Sequence, residues 1–203
     1  MTQKHIFLIG FMGSGKTTVG KLLAEQLQLP FVDSDHWIEE RNRKSVNAIF
    51  ETEGEAFFRD QEWLFLNEAA NFDPSVISLG GGLPVIENAL ELINEIGVSV
   101  YLNVSLLTLI QRLKEEREFR PKLKGLSDAE FYPFVEALLS ERVQFYKKAR
   151  LFMPNERNKP GELVEKICKE LNKLNFQFFY SSSSDSSIPK KLTFSPSSSL
   201  RRK

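Results

Sequence analysis

The feature that most constrains the fold is a glycine-rich segment between an apolar run and a helical pattern. Residues 10–17 read GFMGSGKT and match the pattern G-x-x-x-x-G-K-[ST]. The apolar run HIFLI directly precedes the segment, and the helical pattern KTTVGKLLAEQL overlaps its end. Glycines allow positive φ angles that turn backbone N–H groups inward, and the first turn of a helix adds further unpaired N–H groups. The segment therefore predicts a strand, a phosphate-binding loop and a helix, in a protein that binds a nucleoside triphosphate.

The rest of the chain repeats this alternation of short apolar runs and helical patterns. Such an alternation is typical of a parallel sheet covered by helices on both faces. We therefore predict an α/β protein with three α/β/α layers and a five-stranded parallel sheet. The strands are predicted at residues 5–9, 31–33, 75–79, 98–102 and 150–153. The helical patterns are KTTVGKLLAEQL, HWIEERNR, EAFFRDQEWLFLNEAA, ENALELINEI, SLLTLIQRLKEE, DAEFYPFVEALLSERVQFYKKA and GELVEKICKELNKL.

Two segments lack this alternation of apolar runs and helical patterns. Residues 115–127, EEREFRPKLKGLS, are charged, contain Pro121 and Gly125 and show no apolar period. They predict an exposed loop that is either a lid over a site or an inert surface connection. Residues 177–203 hold ten serines and two prolines, and cannot bury enough apolar surface to offset the entropy of ordering. We predict a folded domain over residues 1–176 and a disordered tail over 177–203.

Composition excludes several classes of partner. Lys plus Arg and Asp plus Glu number 27 each, so nothing indicates a nucleic-acid or membrane surface. No apolar run approaches the length of a membrane span. The single cysteine, Cys168, lies in a helical pattern and fits a small apolar filler in a reducing compartment. We expect a cytoplasmic monomer that binds neither nucleic acid nor membrane.

Charged residues near the phosphate-binding loop are the candidates for chemistry. Lys16 would place a mobile positive charge on the β- and γ-phosphates, and Thr17 would offer its hydroxyl to Mg²⁺. Asp33 and Asp35 leave the second predicted strand at the edge where open α/β sheets bind ligands. Asp33 could hold Mg²⁺ directly or through water, and Asp35 could accept a substrate hydroxyl's proton as a base. The alternative for this stretch is a helix N-cap at Ser34 or Asp35.

Other residues indicate a site for the phosphate acceptor. The segment Gly80-Gly81-Gly82 follows the third predicted strand and would allow a ligand to approach the backbone closely, unless it is a plain flexible turn. Arg59, Arg120 and Arg142 could each provide a rigid fork for a carboxylate or phosphate. Because a lone arginine is most often solvated surface, these residues alone support an anionic acceptor only weakly.

Taken together and in order, these motifs resemble the shikimate kinase family, a group of P-loop kinases with a nucleoside-monophosphate-kinase-like fold. The resemblance spans about residues 4–170 and implies a P-loop kinase fold with a mobile lid at residues 115–127. It also implies ATP-dependent phosphorylation of the 3-hydroxyl of shikimate with Mg²⁺ as cofactor, a step towards chorismate and the aromatic amino acids. The matched features are GFMGSGKTTVG, DSD, IFETEGEAFFRDQE, ISLGGG, YLNVS, Arg120-Pro121, Glu141-Arg142 with Tyr146, and NERNKPGELV.

The resemblance further implies a role for each matched residue. Arg112 and Arg157 would lie beside the adenine, together with Pro160, and Asp33 would hold the metal through water. The implied catalytic residues are Asp35, Lys16 and Arg120, and the implied metal ligands are Thr17 and Asp33. The implied ATP-binding residues are Gly13, Ser14, Gly15, Lys16, Thr17, Thr18, Arg112, Arg120 and Arg157. The implied acceptor-binding residues are Asp35, Arg59, Gly81, Gly82 and Arg142.

The sequence departs from the family pattern at three places. Lys122 follows Arg120-Pro121, where the family usually has an apolar residue, and Gln144-Phe145 stands where it usually has Pro-Leu. The serine-rich tail has no counterpart in the family. Two alternative functions stay open, namely a related kinase for another carboxylate-bearing alcohol such as gluconate, and a nucleotide-binding homologue without catalytic activity.

Overall fold

The centre of the fold is a parallel sheet in the order β2-β3-β1-β4-β5. The computed structural model describes residues 4–156, 159–174 and 176, and the strands and helices below lie within these ranges. The strands are β1 (His5–Ile9), β2 (Phe31–Asp33), β3 (Val76–Ser78), β4 (Gly97–Asn103) and β5 (Leu151–Pro154). The α-helices are α1 (Lys16–Leu27), α2 (Ser34–Asn42), α3 (Val46–Thr52), α4 (Gly54–Ala69), α5 (Ala89–Ile96), α6 (Leu106–Glu116), α7 (Asp128–Tyr146) and α8 (Pro160–Lys173).

The prediction of three layers around a five-stranded parallel sheet is confirmed, and every predicted strand end lies within one residue of the observed one. Successive side chains of a strand alternate between its two faces. On β1, Phe7 and Ile9 therefore face a core built with α4, α5, α6 and α7, while Ile6 and Leu8 face a second core built with α1 and α8. Burial on both faces explains why the run HIFLI is apolar at four consecutive positions.

The strand order creates a crevice at the carboxyl end of β1. Strand β1 pairs with both β3 and β4. Helix α1, which follows β1, packs on one face of the sheet, whereas α5 and α6, which follow β3 and β4, pack on the other. Neighbouring connections that leave towards opposite faces open a ligand-binding crevice in an α/β sheet. The phosphate-binding loop, residues 10–17, begins at this point.

Helices α2, α3 and α4 carry a small core of their own beside the crevice. Ile38, Ile49 and Phe58 are buried there against each other. Helix α3 was not among the predicted helical patterns, because seven residues are too few to show a clear helical period. Its start is nevertheless marked by Ser45, whose side chain accepts a hydrogen bond from the N–H of Ala48.

The predicted lid, residues 115–127, contains the end of α6, a 3₁₀ turn at Arg117–Phe119 and a run of further turns before α7. Most of the segment is charged and accessible, as predicted for an exposed loop. That prediction is wrong for Leu123, which is fully buried in the core under α6 and α7 and therefore anchors the segment.

In the part of the chain that the structure describes, no helix is both long and apolar enough to cross a membrane. Cys168 is buried between α8 and the sheet, as expected for an apolar filler. The predicted disordered tail, residues 177–203, lies outside the described residues, so the boundary at residue 176 stays a prediction.

Candidate active site

A cavity of about 540 Å³ lies at the carboxyl ends of the strands, in the crevice described above. The phosphate-binding loop forms one wall, and the lid and α6 form the roof. The opposite wall comes from the start of α2, from α4, from the glycine segment after β3, and from α7. The sequence-predicted candidates thus converge on one cavity, with two exceptions. Ser14 is buried within the loop and does not line the cavity, and Arg157 lies outside the described residues.

The phosphate-binding loop is preformed. Gly13 and Gly15 have φ angles of 75° and 88°, which favour glycine because a Cβ atom would be strained there. Lys16 Nζ donates hydrogen bonds to the carbonyl oxygens of Gly10, at 3.0 Å, and Phe11, at 2.9 Å. Burial lowers the pKa of Lys16 to about 8, against the opposing effect of the Asp35 carboxylate. The ammonium group is therefore held over the concave side of the loop, where it can meet phosphate oxygens.

Two side chains brace this loop by hydrogen bonds to its carbonyl oxygens. Asn155, which is buried just after β5, donates from Nδ2 to the Ser14 carbonyl oxygen at 2.8 Å. Arg112 on α6 donates from Nη1 to the Gly13 carbonyl oxygen at 3.0 Å. Sequence reasoning gave no role to Asn155, although it is the first residue of the matched stretch NERNKPGELV. The implied role of Arg112 beside an adenine stays a prediction, although the side chain does line the cavity.

The Thr17 hydroxyl, at the end of the phosphate-binding loop, contacts the Asp33 carboxylate. Thr17 Oγ1 donates to Asp33 Oδ2 at 3.0 Å. The other oxygen of Asp33 accepts from the N–H of Asp35 at 3.1 Å, so Asp33 is the N-cap of α2, a role predicted for Ser34 or Asp35 instead. Capping occupies only Oδ1 and leaves Oδ2 beside Thr17. Oxygen ligands of this kind suit Mg²⁺, which takes one or two protein oxygens and completes its shell with phosphates and water.

Among the described residues, no complete set of protein metal ligands surrounds Thr17 and Asp33. Among residues 4–156, 159–174 and 176, no group of three or more His, Cys, Asp or Glu side chains is arranged to hold a metal ion. A magnesium ion at Thr17 and Asp33 would therefore need phosphate and water ligands as well. This fits an ion that arrives with a nucleotide.

Two carboxylates lie close together on the opposite wall. A Cβ atom on Gly80 would stand 2.6 Å from Asp35 Oδ1 and 2.6 Å from Glu62 Oε1, so the two oxygens are near neighbours. Burial raises the pKa of Asp35 to about 6, with a further contribution from Asp33, while Lys16 opposes the shift. Burial likewise raises the pKa of Glu62 to about 7, although the Arg59 guanidinium opposes it. Carboxyl groups tuned in this way are common in catalytic sites.

Arg59 on α4 is held by two carboxylates of its own helix. Its Nη1 donates to Glu62 Oε2, and its Nη2 donates to Glu55 Oε1 at 2.7 Å. Glu62 is fully buried, and its second oxygen, Oε1, has no hydrogen-bond partner among the described residues. The sequence placed Glu62 on the same helical face as Arg59 but gave no sign that it is buried in the cavity wall.

Arg142 on α7 is a buried cation that forms no ion pair with any of the described residues, although its charge acts on nearby Glu62. Its relative exposure is 5%, and within the described residues no carboxylate oxygen lies within 4.0 Å of its guanidinium. The group lies over the ring of Phe11 at 6.0 Å, and a Cβ atom on Gly81 would be 3.4 Å from its Nη1. Nearby, the Tyr146 hydroxyl donates to the Gly81 carbonyl oxygen at 2.5 Å and fixes the glycine segment.

Arg120 lines the cavity from the lid but is engaged elsewhere. Its Nη2 and Nε atoms donate to Glu116 Oε2 at 2.6 and 3.2 Å, one helical turn back along the chain. To reach a phosphate, its guanidinium has to leave Glu116. The predicted catalytic role of Arg120 therefore requires its side chain to move when a ligand binds. This role stays a prediction.

Gly82 leaves room for Arg59, and alanine there is expected to raise the acceptor KM by about tenfold or more. A Cβ atom on Gly82 would overlap Nη1 and Cζ of Arg59, so the guanidinium would have to move. Steady-state kinetics with varied acceptor would measure the change. Gly161→Ala is the matched control, because a Cβ there meets open space. Equal acceptor KM values for Gly82→Ala and the parent would contradict a role of Arg59 in acceptor binding.

Comparisons with known proteins agree with this geometry. The family model described as shikimate kinase matches residues 12–172. A shikimate kinase of Parabacteroides distasonis is 42% identical over 172 residues, which is 85% of this chain and 99% of the relative. A shikimate kinase from Acinetobacter baumannii, solved in complex with shikimate, superimposes with a TM-score of 0.79 at 32% identity, covering 87% of this chain and 97% of that one. One from Bacteroides thetaiotaomicron gives 0.77 at 39% identity, covering 83% and 98%.

A preformed phosphate-binding loop that faces a wall of carboxylates and arginines across one crevice defines a P-loop kinase. The family model covers most of the chain, and relatives well above 30% identity match it over almost their whole length. The chain belongs to the shikimate kinase family.

Proposed function

We propose that the protein transfers the γ-phosphate of ATP to the 3-hydroxyl of shikimate, giving shikimate 3-phosphate and ADP. Family membership supports the reaction, and the relative from Acinetobacter baumannii was solved with shikimate bound. The product lies on the way to chorismate and the aromatic amino acids. We further propose that the protein acts as a cytoplasmic monomer, as predicted from the sequence.

The observation that carries the proposal is the buried guanidinium of Arg142. A charge removed from water is costly unless it is paired, and no carboxylate among the described residues lies within 4.0 Å of Arg142. A carboxylate-bearing acceptor would supply the missing partner, in the bidentate geometry that arginine favours. Arg59 lines the same wall and would provide a second contact. An acceptor without a carboxylate would leave Arg142 without a direct ion-pair partner among the described residues.

In this proposal Asp35 is the base. Its side chain lines the cavity between the phosphate-binding loop and the glycine segment. As the 3-hydroxyl oxygen attacks the γ-phosphorus, Asp35 takes the hydroxyl proton, and the bond between the γ-phosphorus and the bridging oxygen of ADP breaks. A base with a pKa of about 6 is ionised at neutral pH and still close enough to that pH to accept a proton.

The remaining groups position the phosphates and neutralise their charge. Lys16 would exchange its two carbonyl partners for β- and γ-phosphate oxygens, and Arg120 would leave Glu116 to reach the transferred group. Phosphoryl transfer depends mainly on such positioning and charge neutralisation. Mg²⁺ held by Thr17 and, through water, by Asp33 would offset negative charge on the phosphates when bound. Arg112 and Arg157, with Pro160, are proposed to lie at the adenine.

The test is a comparison of acceptors. We expect ADP release from Mg-ATP to depend on shikimate and to stay near background with gluconate or without an acceptor. Pyruvate kinase and lactate dehydrogenase can report ADP continuously. Turnover with gluconate alone would support the related kinase of another carboxylate-bearing alcohol. ADP release that needs no acceptor would contradict the assignment of the acceptor wall, and no ADP release at all would support the inactive homologue.

A further inference from the structure

Two lysines of the lid reach across the mouth of the cavity to helices α3 and α4. Lys122 Nζ lies 2.6 Å from Glu55 Oε1, and Lys124 Nζ lies 2.7 Å from Glu51 Oε1. Leu123, between the two lysines, is buried in the core and fixes this part of the lid. The lid is thus joined by two ion pairs to the part of the protein that carries Arg59.

The inner pair is connected to the acceptor site, and the outer pair is not. Glu55 Oε1 accepts from Arg59 Nη2 as well as from Lys122, and the other end of the Arg59 guanidinium is bonded to buried Glu62. A continuous chain of charges therefore runs from the lid to the cavity wall. Lys122 lines the cavity, whereas the Lys124 side chain is 53% exposed and contacts Glu51 on the far side.

The inner pair is also the better shielded of the two. The side chains of Lys122 and its partner Glu55 are 24% and 47% exposed, against 53% for Lys124 and 62% for its partner Glu51. Burial alone would raise the pKa of Glu55, but hydrogen bonds from Lys122 and Arg59 outweigh it and hold that pKa below its ordinary value. Glu55 is therefore ionised at neutral pH. Exposed ion pairs contribute little, so the inner pair should dominate.

Lys122 and Arg59 share the same carboxylate oxygen of Glu55. When the lid is in the observed position, Lys122 neutralises Glu55 and weakens its hold on Arg59. If the lid moved away, Glu55 would keep Arg59 as its remaining cation and would compete for the guanidinium with an acceptor carboxylate. Binding of an acceptor carboxylate to Arg59 and closure of the lid then favour each other, because a coupling between two sites acts in both directions.

We propose that Glu55 and Lys122 are positioning residues that couple lid closure to the availability of Arg59 for the acceptor carboxylate. The inference rests on the proposed function, since that function supplies the carboxylate.

The kinetic test compares Lys122→Met with the matched control Lys124→Met. At low ionic strength we expect Lys122→Met to raise the shikimate KM about threefold to tenfold, with kcat changed less than twofold, and Lys124→Met to leave KM within about twofold. The effect of Lys122→Met should shrink at high salt, and Lys122→Arg should retain the parent KM. In a Glu55→Gln background, Lys122→Met should have no further effect on KM.

A second measurement needs no turnover. In the ligand-free protein, hydrogen exchange of lid amides should be about threefold faster in Lys122→Met than in Lys124→Met, with β1 unchanged in both. Equal KM and equal exchange in the two lysine variants, or additive effects of Glu55→Gln and Lys122→Met, would overturn the proposal. If the parent shows no shikimate-dependent ADP release, the proposed function fails instead, and the exchange comparison still decides whether Lys122 holds the lid.

Discussion

Asp35→Asn is expected to lower kcat with shikimate by about 10²–10⁴-fold, the usual contribution of a general base. The change keeps the shape of the side chain and removes its ability to accept a proton. Because burial raises the pKa of Asp35 to about 6, the parent should also lose kcat/KM as the pH falls below about 6, and the variant should lack this dependence. Steady-state ADP release across pH 5–9 measures both effects.

The control for Asp35→Asn is Asp60→Asn, which removes the same charge from an exposed position on α4. It should leave kcat and its pH dependence unchanged. Circular dichroism of both variants would show that the fold is intact. If Asp35→Asn kept more than a tenth of the parent kcat, Asp35 would bind the acceptor without serving as its base.

The sequence predicted those parts of the site that local pattern determines. A strand, three glycines, a lysine and a helix start within residues 5–17 are enough to specify the phosphate-binding loop, since its backbone geometry depends on neighbours in the chain. The order of apolar runs likewise specified the layers and strand ends. Asp35, Arg59 and Arg142 were found because each lies at a motif, and the structure brings all three to one cavity.

Long-range contacts account for what the sequence did not predict. The burial of Leu123 depends on α7 folding back over the lid, and no period within residues 115–127 reports it. From the sequence, Glu62 was recognised only as a helical neighbour of Arg59. Its burial depends on the glycine segment, residues 80–82, which packs against it in the folded protein. The bond between Lys122 and Glu55 joins residues far apart in the chain. Such pairings are set by the tertiary fold and not by local sequence.

Arg59→Met is expected to raise the acceptor KM about a hundredfold and to destabilise the protein at the same time. Truncating one partner of a desolvated, charged contact costs a few kcal/mol in binding. The same change removes the cation that opposes the raised pKa of Glu62, which burial already lifts to about 7. The pKa of Glu62 should therefore rise further in the variant.

The sign of the pH effect on stability follows from this shift. A carboxyl group whose pKa is higher in the folded than in the unfolded state binds its proton more tightly when folded, so its contribution favours folding at low pH and is lost as the pH rises through the folded pKa. In the parent, the free energy of unfolding should decline between about pH 4.5 and 7, because the buried Glu62 carboxyl group loses its proton at higher pH than it would in the unfolded chain. In Arg59→Met the decline should extend above pH 7, where an ionised Glu62 has lost its nearest cation.

The double variant Arg59→Met/Glu62→Gln separates the two consequences. Urea denaturation at pH 8 should show Arg59→Met to be less stable than the parent by about 2–3 kcal/mol, somewhat below the usual cost of breaking a fully buried pair because Arg59 is 23% exposed. At pH 5.5 the loss should be smaller. Adding Glu62→Gln should restore most of the stability at pH 8, since no ionisable group is then left unpaired, while the acceptor KM stays high. If the double variant were no more stable than Arg59→Met, Glu62 would not be the group that Arg59 holds in its charged form.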